Sequence, residues 1–376
     1  MRRFKCQCGA WIFFENTSCV ACKRMLGYLP DQKTMSAVEP TGREEEYRAF
    51  ASPRVPYRQC RNYAQLNVCN WMVRVDDDSP YCIACRLNET IPNLDNAANR
   101  AYWANIEASK RRLVYSLLEL GLPVQNKEEN PKGLAFAFLA NAPETSPDGA
   151  DQKLLTGHND GLITINIAEA DETERELTRR KMHEAYRTLL GHFRHESGHY
   201  YWNLLVDGSP VLDRFRDLFG DERKDYAEAL RQHYAEGAPA DWSTRFVSSY
   251  ASSHPWEDWA ESWAHYLHLI DTLETAKAFG VAPRDEDDGL TRRQLSEMID
   301  CGAVPASFAA MLGDWVRLSL ALNAMNRSMG MRDPYPFVLN RVLASKLALV
   351  HEVVLSAGAS MNFIRSGNCA DGVEAR

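Results

Sequence analysis

The sequence predicts an α+β fold: a cysteine-rich N-terminal module of short strands stapled by metal, followed by a mainly helical domain with a small sheet. Three observations carry this. Ten cysteines are present, and all but Cys301 and Cys369 fall before residue 86. In residues 162–167, Ile163, Ile165 and Ile167 alternate with Thr164 and Asn166, the pattern of a half-buried strand. Most of the chain beyond that point repeats its apolar residues at helical spacing.

The chain has 376 residues, 45% of them hydrophobic, enough to bury a sizeable core in two or three domains. A net charge of −8 with a pI of about 5.7 advertises no overall basic field for nucleic acid or anionic lipid. The start, Met1-Arg2-Arg3-Phe4-Lys5-Cys6, is charged, but the apolar stretch 10–14 is too short for an export signal. No run approaches the roughly 18 apolar residues of a membrane span. A cytoplasmic protein without a membrane partner is therefore expected, and cysteine crowding there points to metal rather than to disulfides.

Residues 1–92 are read as a zinc-ribbon module. Cys6, Cys8, Cys19 and Cys22 form one set, and Cys60, Cys69, Cys82 and Cys85 a second. Four thiolates close a tetrahedral ion and leave no open position, so two structural zinc ions are the simplest expectation. Interleaved pairing and a rubredoxin-like iron site are the alternatives. Cys301 and Cys369 read as ordinary thiols. Arg54, Arg58, Arg61 and Arg74 lie among Tyr57, Tyr63 and Trp71, but also beside Glu44-Glu45-Glu46 and Asp76-Asp77-Asp78. That mixture allows a protein or nucleic-acid partner for the ribbon, substrate recruitment or shielding of the active site.

Residues 93–357 form the second predicted domain. After a polar stretch at 88–99, residues 100–120 carry Ile106, Leu113, Leu117 and Leu120 at helical spacing. Residues 134–139 read as a strand and 141–151 as a loop. The strand 162–167 is either an edge able to pair with an extended peptide or an interior strand. Thr173 and Glu176 suggest a capping box for one long helix running through Met182, Leu189, Leu190 and Phe193 to end near Gly208. Two helical patterns separated near Gly220 follow in 211–236. Pro255 opens a helix reaching about residue 273, since proline suits a first helical turn. Residues 307–329 and 335–354 complete the helices, and 358–376 read as a flexible tail.

The long helix carries His195-Glu196-Ser197-Gly198-His199. Residues four apart share a helix face, so His195 and His199 can offer two imidazole nitrogens to one metal ion. Glu196 lies about 100° round the helix, beside such an ion, placed to take a proton from a bound water. Two surface histidines on an amphipathic helix is the plainer alternative.

A catalytic zinc needs a third protein ligand. A metzincin extension fails, because Trp202 and Leu205 stand where glycine and histidine are required. Glu257 in a later helix is the candidate. Glu261, one turn on, would hold the outer nitrogen of His195, and Tyr250 would donate to a developing oxyanion. His254 is the reserve ligand. His192, His265 and His268 read as packing or supporting groups.

Together Tyr250, Glu257, Glu261 and the HESGH helix resemble the gluzincin site of anthrax lethal factor and related cytosolic metallopeptidases. More closely, Arg194 to Trp202 and Pro255 to Tyr266 resemble a bacterial family of zinc-binding metallopeptidases with an N-terminal zinc ribbon. The resemblance spans the chain from the ribbon to about residue 350. It implies a zincin-like fold and a zinc-dependent peptidase acting on a peptide or protein substrate, with one catalytic and two structural zinc ions. The competing expectation is a zinc-stabilised binding or regulatory protein that no longer turns over.

Overall fold

The computed structural model describes residues 1–140, 156–181, 187–281 and 304–367. Met182, Cys301, Cys369 and the loop expected at 141–151 lie outside them. The chain divides into two compact units, Met1–Tyr115 with Val124–Glu174, and Ser116–Pro123 with Arg175–Arg376.

The first unit opens with β1 (Phe4–Lys5) paired antiparallel to β2 (Trp11–Ile12). A five-stranded antiparallel sheet follows in sequence order: β3 (Met25–Leu29), β4 (Thr34–Pro40), β5 (Tyr47–Ala49), β6 (Ser52–Gln59) and β7 (Met72–Arg74). The short helix α1 (Arg61–Ala64) lies between β6 and β7. The core of this sheet combines aliphatic side chains such as Leu26, Leu29, Met35 and Val38 with a cluster of rings. Phe14, Tyr28, Trp71 and Tyr115 meet with Phe14–Tyr28 centroids 5.0 Å apart and Tyr28–Trp71 centroids 4.7 Å apart.

Helix α2 (Ala97–Glu119) buries Ile106, Leu113 and Leu117, as their spacing predicts. A second sheet has the order β10 (Gly157–Asn159), β11 (Leu162–Asn166), β9 (Ala135–Leu139), β8 (Asn88–Thr90). Strand β11 is parallel to β9 and antiparallel to β10. It is therefore an interior strand, with both rows of backbone groups engaged, and not an edge open to a peptide. Pairing of β8 with β9 joins these strands to the cysteine module.

In the second unit the single long helix expected from residue 173 onward is two. Helix α3 (Glu172–Lys181) is capped by Asp171, whose Oδ1 accepts from the Thr173 and Glu174 N–H groups. Helix α4 (Leu189–Leu205) has its own start: Thr188 is extended, and its hydroxyl accepts from the Gly191 N–H at 3.0 Å. Helices α5 (Leu212–Phe219) and α6 (Tyr226–Glu236) are separated by Gly220 at φ 102.

Helix α7 (Pro255–Phe279) follows, with Pro255 in its first turn as predicted and its end at Gly280, φ 68. Helix α8 (Ala306–Ser328) and helix α9 (Arg341–Gly367) complete the unit. Helix α9 starts later than residue 335 and continues past 358, where the tail was expected. It can continue because Gly358 has no side chain: a Cβ there would stand 2.7 Å from the Leu120 carbonyl oxygen. Residues Arg341–Ala359 are long and apolar enough to cross a membrane by length and composition, and 56% of that window is buried inside the protein.

Candidate metal centre

The centre is built where α4 crosses α7, and Ser197 and Gly198, between Glu196 and His199, make that crossing possible. A Cβ at Gly198 would lie 2.8 Å from Ala260 Cα. Only glycine lets the backbones approach this closely. The Trp259 Nε1–H donates to the Gly198 carbonyl at 3.1 Å, and the Trp263 Nε1–H donates to the Ser197 hydroxyl at 3.1 Å. Both tryptophans are fully buried. Two indoles of α7 thus read the backbone and side chain of the HESGH turn and set its register.

His195, His199 and Glu257 are brought together, with one ligand atom from each lying within 4.8 Å of the others. Glu257 Oε2 is 3.0 Å from His195 Nε2, and Glu257 Oε1 is 3.5 Å from His199 Nε2. Glu261 Oε1 is 2.8 Å from His195 Nδ1, and its Oε2 accepts the Ser248 hydroxyl at 2.7 Å. Burial opposes a charge on His195, but Glu257 and Glu261 on either side raise its pKa well above 6.5, and with Nδ1–H donated to Glu261, loss of the Nε2 proton leaves that lone pair facing Glu257 Oε2. Two electron pairs facing each other in a buried site are what a cation satisfies. The donor set, two imidazoles and one carboxylate, suits zinc.

Glu196 is 5% exposed, with Oε1 3.1 Å from His192 Nε2 and Oε2 buried without a partner. Burial works to raise its carboxyl, but the hydrogen bond from His192 and the nearby histidines hold it below the usual range, in the ionised form. For Glu257 burial acts the same way and is overcome by His199 and His195, so it too stays ionised. Tyr250 stands in the turn Tyr250–Ser252 with its ring centroid 6.0 Å from that of His195.

His254 is not a spare ligand. Its Nδ1 accepts the Trp256 N–H at 3.1 Å as the N-cap of α7, while Nε2–H donates to the Lys224 carbonyl at 3.1 Å. Both nitrogens are spent. His265 pairs with the Tyr335 hydroxyl at 2.9 Å, and His268 packs on Trp315 and Tyr335.

The sequence reading missed Tyr226, whose hydroxyl donates to Glu257 Oε1 at 2.5 Å, and Ser248. Neither lies at a motif spacing, so only the fold reveals them.

The eight described cysteines fall into two sets, Cys6/Cys8/Cys19/Cys22 and Cys60/Cys69/Cys82/Cys85, all as free thiols. Sulfur pairs stand 3.6 Å (Cys6–Cys22), 3.7 Å (Cys8–Cys19) and 3.8 Å (Cys69–Cys82) apart. Metal–sulfur bonds of about 2.3 Å in a tetrahedron give edges of about 3.8 Å, so both sets fit zinc.

Comparison with known proteins agrees with this chemistry. The chain belongs to the family described as "Putative zinc-binding metallo-peptidase", whose model matches residues 99–353, and a zinc-ribbon domain model matches residues 3–96. It is 40% identical over 358 residues to uncharacterized proteins of Mycobacterium bovis and Mycobacterium tuberculosis, covering 94% of this chain and 95% of each relative. No solved structure matches the chain.

Proposed function

We propose that the protein is a gluzincin-type zinc peptidase. The observation that carries this reading is the convergence of His195, His199 and Glu257 beside the ionised, half-satisfied carboxylate of Glu196. His195, His199 and Glu257 would hold the catalytic zinc, and the two cysteine sets would hold one structural zinc each. Bound there, zinc supplies Lewis acidity that lowers the pKa of water to about 7 and polarises a substrate carbonyl.

The protein's own groups then move the protons. Glu196 Oε2 takes the proton from the water whose oxygen attacks the peptide carbon, and returns it to the amine nitrogen as the C–N bond breaks. His192, on Oε1, orients that carboxylate. Glu261 holds the His195 ring through Nδ1, and Ser248 in turn holds Glu261. The Tyr250 hydroxyl donates to the oxyanion. Eight thiols grouped for metal suit a reducing compartment, which supports a cytoplasmic enzyme.

The test compares wild type with Glu196→Gln on a peptide library, with zinc content measured in parallel. The reading expects activity to fall about 10²- to 10⁴-fold while zinc is retained. Equal cleavage by both proteins, or none by either with zinc bound, would count against it and favour a binding protein.

A further inference from the structure

Glu257 has two carboxylate oxygens and stands among groups that treat them differently. Oε1 accepts the Tyr226 hydroxyl at 2.5 Å. Oε2 faces His195 Nε2 at 3.0 Å and has no hydrogen-bond partner. The asymmetry is built by the fold. Tyr226 is the first residue of α6, whose start is fixed by the Asp225 carboxylate accepting the Glu228 N–H. Two residues earlier, the Lys224 carbonyl accepts from His254, the residue that caps α7. The Tyr226 ring packs edge-on against His254 and Trp256, with centroids 5.2 and 5.8 Å away. Segment 224–226 is therefore clamped on the first turn of α7 by two hydrogen bonds and two ring contacts, although α6 itself buries none of its residues.

We infer that Tyr226 is a positioning residue for the metal: its hydroxyl pins Glu257 Oε1, which also lies 3.5 Å from His199 Nε2, and so fixes the carboxylate with Oε2 at His195 and within reach of an ion shared with both histidines. This inference rests on the reading of these three residues as metal ligands and extends it to a phenol from a separate helix. A neutral donor suits the task. It fixes the carboxylate rotamer without cancelling the negative charge that a divalent ion needs, as a lysine there would. Ligating carboxylates held by an outer hydrogen bond lose less freedom when they bind, and removal of such a partner costs metal affinity.

The test uses the full-length protein with its cysteine sites loaded, titrated with zinc in competition with a chromophoric chelator. Glu257→Ala identifies the third site by its loss. Tyr226→Phe keeps the ring, and at 37% exposure the position tolerates the change; retention of the two cysteine-bound ions verifies the fold. The expected result is a 10- to 100-fold weaker third site in Tyr226→Phe, on the order seen when outer partners are removed. Affinity equal to wild type would overturn the role of Tyr226 while leaving the metal site standing. Absence in wild type of any site sensitive to Glu257→Ala would instead remove the metal reading itself, and this inference with it.

Discussion

Gly198 and Ala260 put α4 and α7 in backbone contact, so close that a methyl group at 198 would lie 2.8 Å from Ala260 Cα and 3.1 Å from Trp263 Cβ. The candidate ligands His195 and His199 are on α4, and Glu257 is on α7. Spacing between the helices therefore sets spacing between the ligands.

Gly198→Ala should push the two helices apart. Overpacking of this kind costs about 1–3 kcal/mol. Thermal unfolding should register that loss, and zinc at the histidine site should weaken while the cysteine-bound metal stays. A variant with unchanged melting temperature and zinc affinity would show that the crossing tolerates a side chain.

Glu261→Gln tests the support of His195. The amide keeps the size and can still accept from Nδ1, but loses the charge; Glu261→Ala loses both. Zinc affinity at the histidine site should fall about 10- to 100-fold for the alanine variant and less for glutamine. Equal affinity in all three proteins would leave Glu261 without a role at the centre.

Lys346 reaches from α9 to Asp258 at 2.6 Å, with the two side chains 3% and 0% exposed, and its ammonium also donates to the Arg245 carbonyl. Burial holds the Asp258 carboxyl up at about 7 despite the ammonium, so Lys346→Met should leave it protonated at neutral pH and a stranded charge only at higher pH, where the loss should approach about 3–5 kcal/mol. Adding Asp258→Asn should restore part of that loss, because the stranded charge is gone. Chemical denaturation of the single and double variants at that higher pH checks this; a double variant worse than Lys346→Met would refute it.

His268 packs against the rings of Trp315 and Tyr335, centroids 5.8 and 5.4 Å away. Burial chiefly, with the charges of Arg194 and His265, lowers its pKa from 6.5 to about 3. Between those values the unfolded chain holds a proton that the folded one refuses, so stability falls as pH drops through that window, by up to about 1.4 kcal/mol per pH unit. His268→Phe should flatten the loss of melting temperature between pH 7 and pH 5. Parallel profiles for wild type and variant would exclude His268 as a contributor.

Much of the centre was legible because its chemistry is local. An i, i+4 pair of histidines, a second i, i+4 pair of carboxylates and close cysteine pairs each declare themselves within one helical turn or one knuckle. Pro255 likewise marked the start of α7. Where a choice depended on distant partners, the pattern was silent or misleading. Thr173 looks like a cap, yet Asp171 does the capping. An apolar alternation marks β11 as a strand but says nothing about its neighbours, which make it interior. His254 has the chemistry of a ligand, and only its bonds to Trp256 and Lys224 show that both nitrogens are taken.

Taken by itself, the sequence determined which side chains can bind metal and the local element carrying each, since helical period and thiolate spacing are properties of a few consecutive residues. Tertiary structure alone decided that Tyr226 and Ser248 hold the carboxylates and that Gly198 sets the distance between the two helices. Those outcomes depend on how α4, α6 and α7 pack, and packing is governed by the shape and hydrogen bonding of residues far apart in the chain.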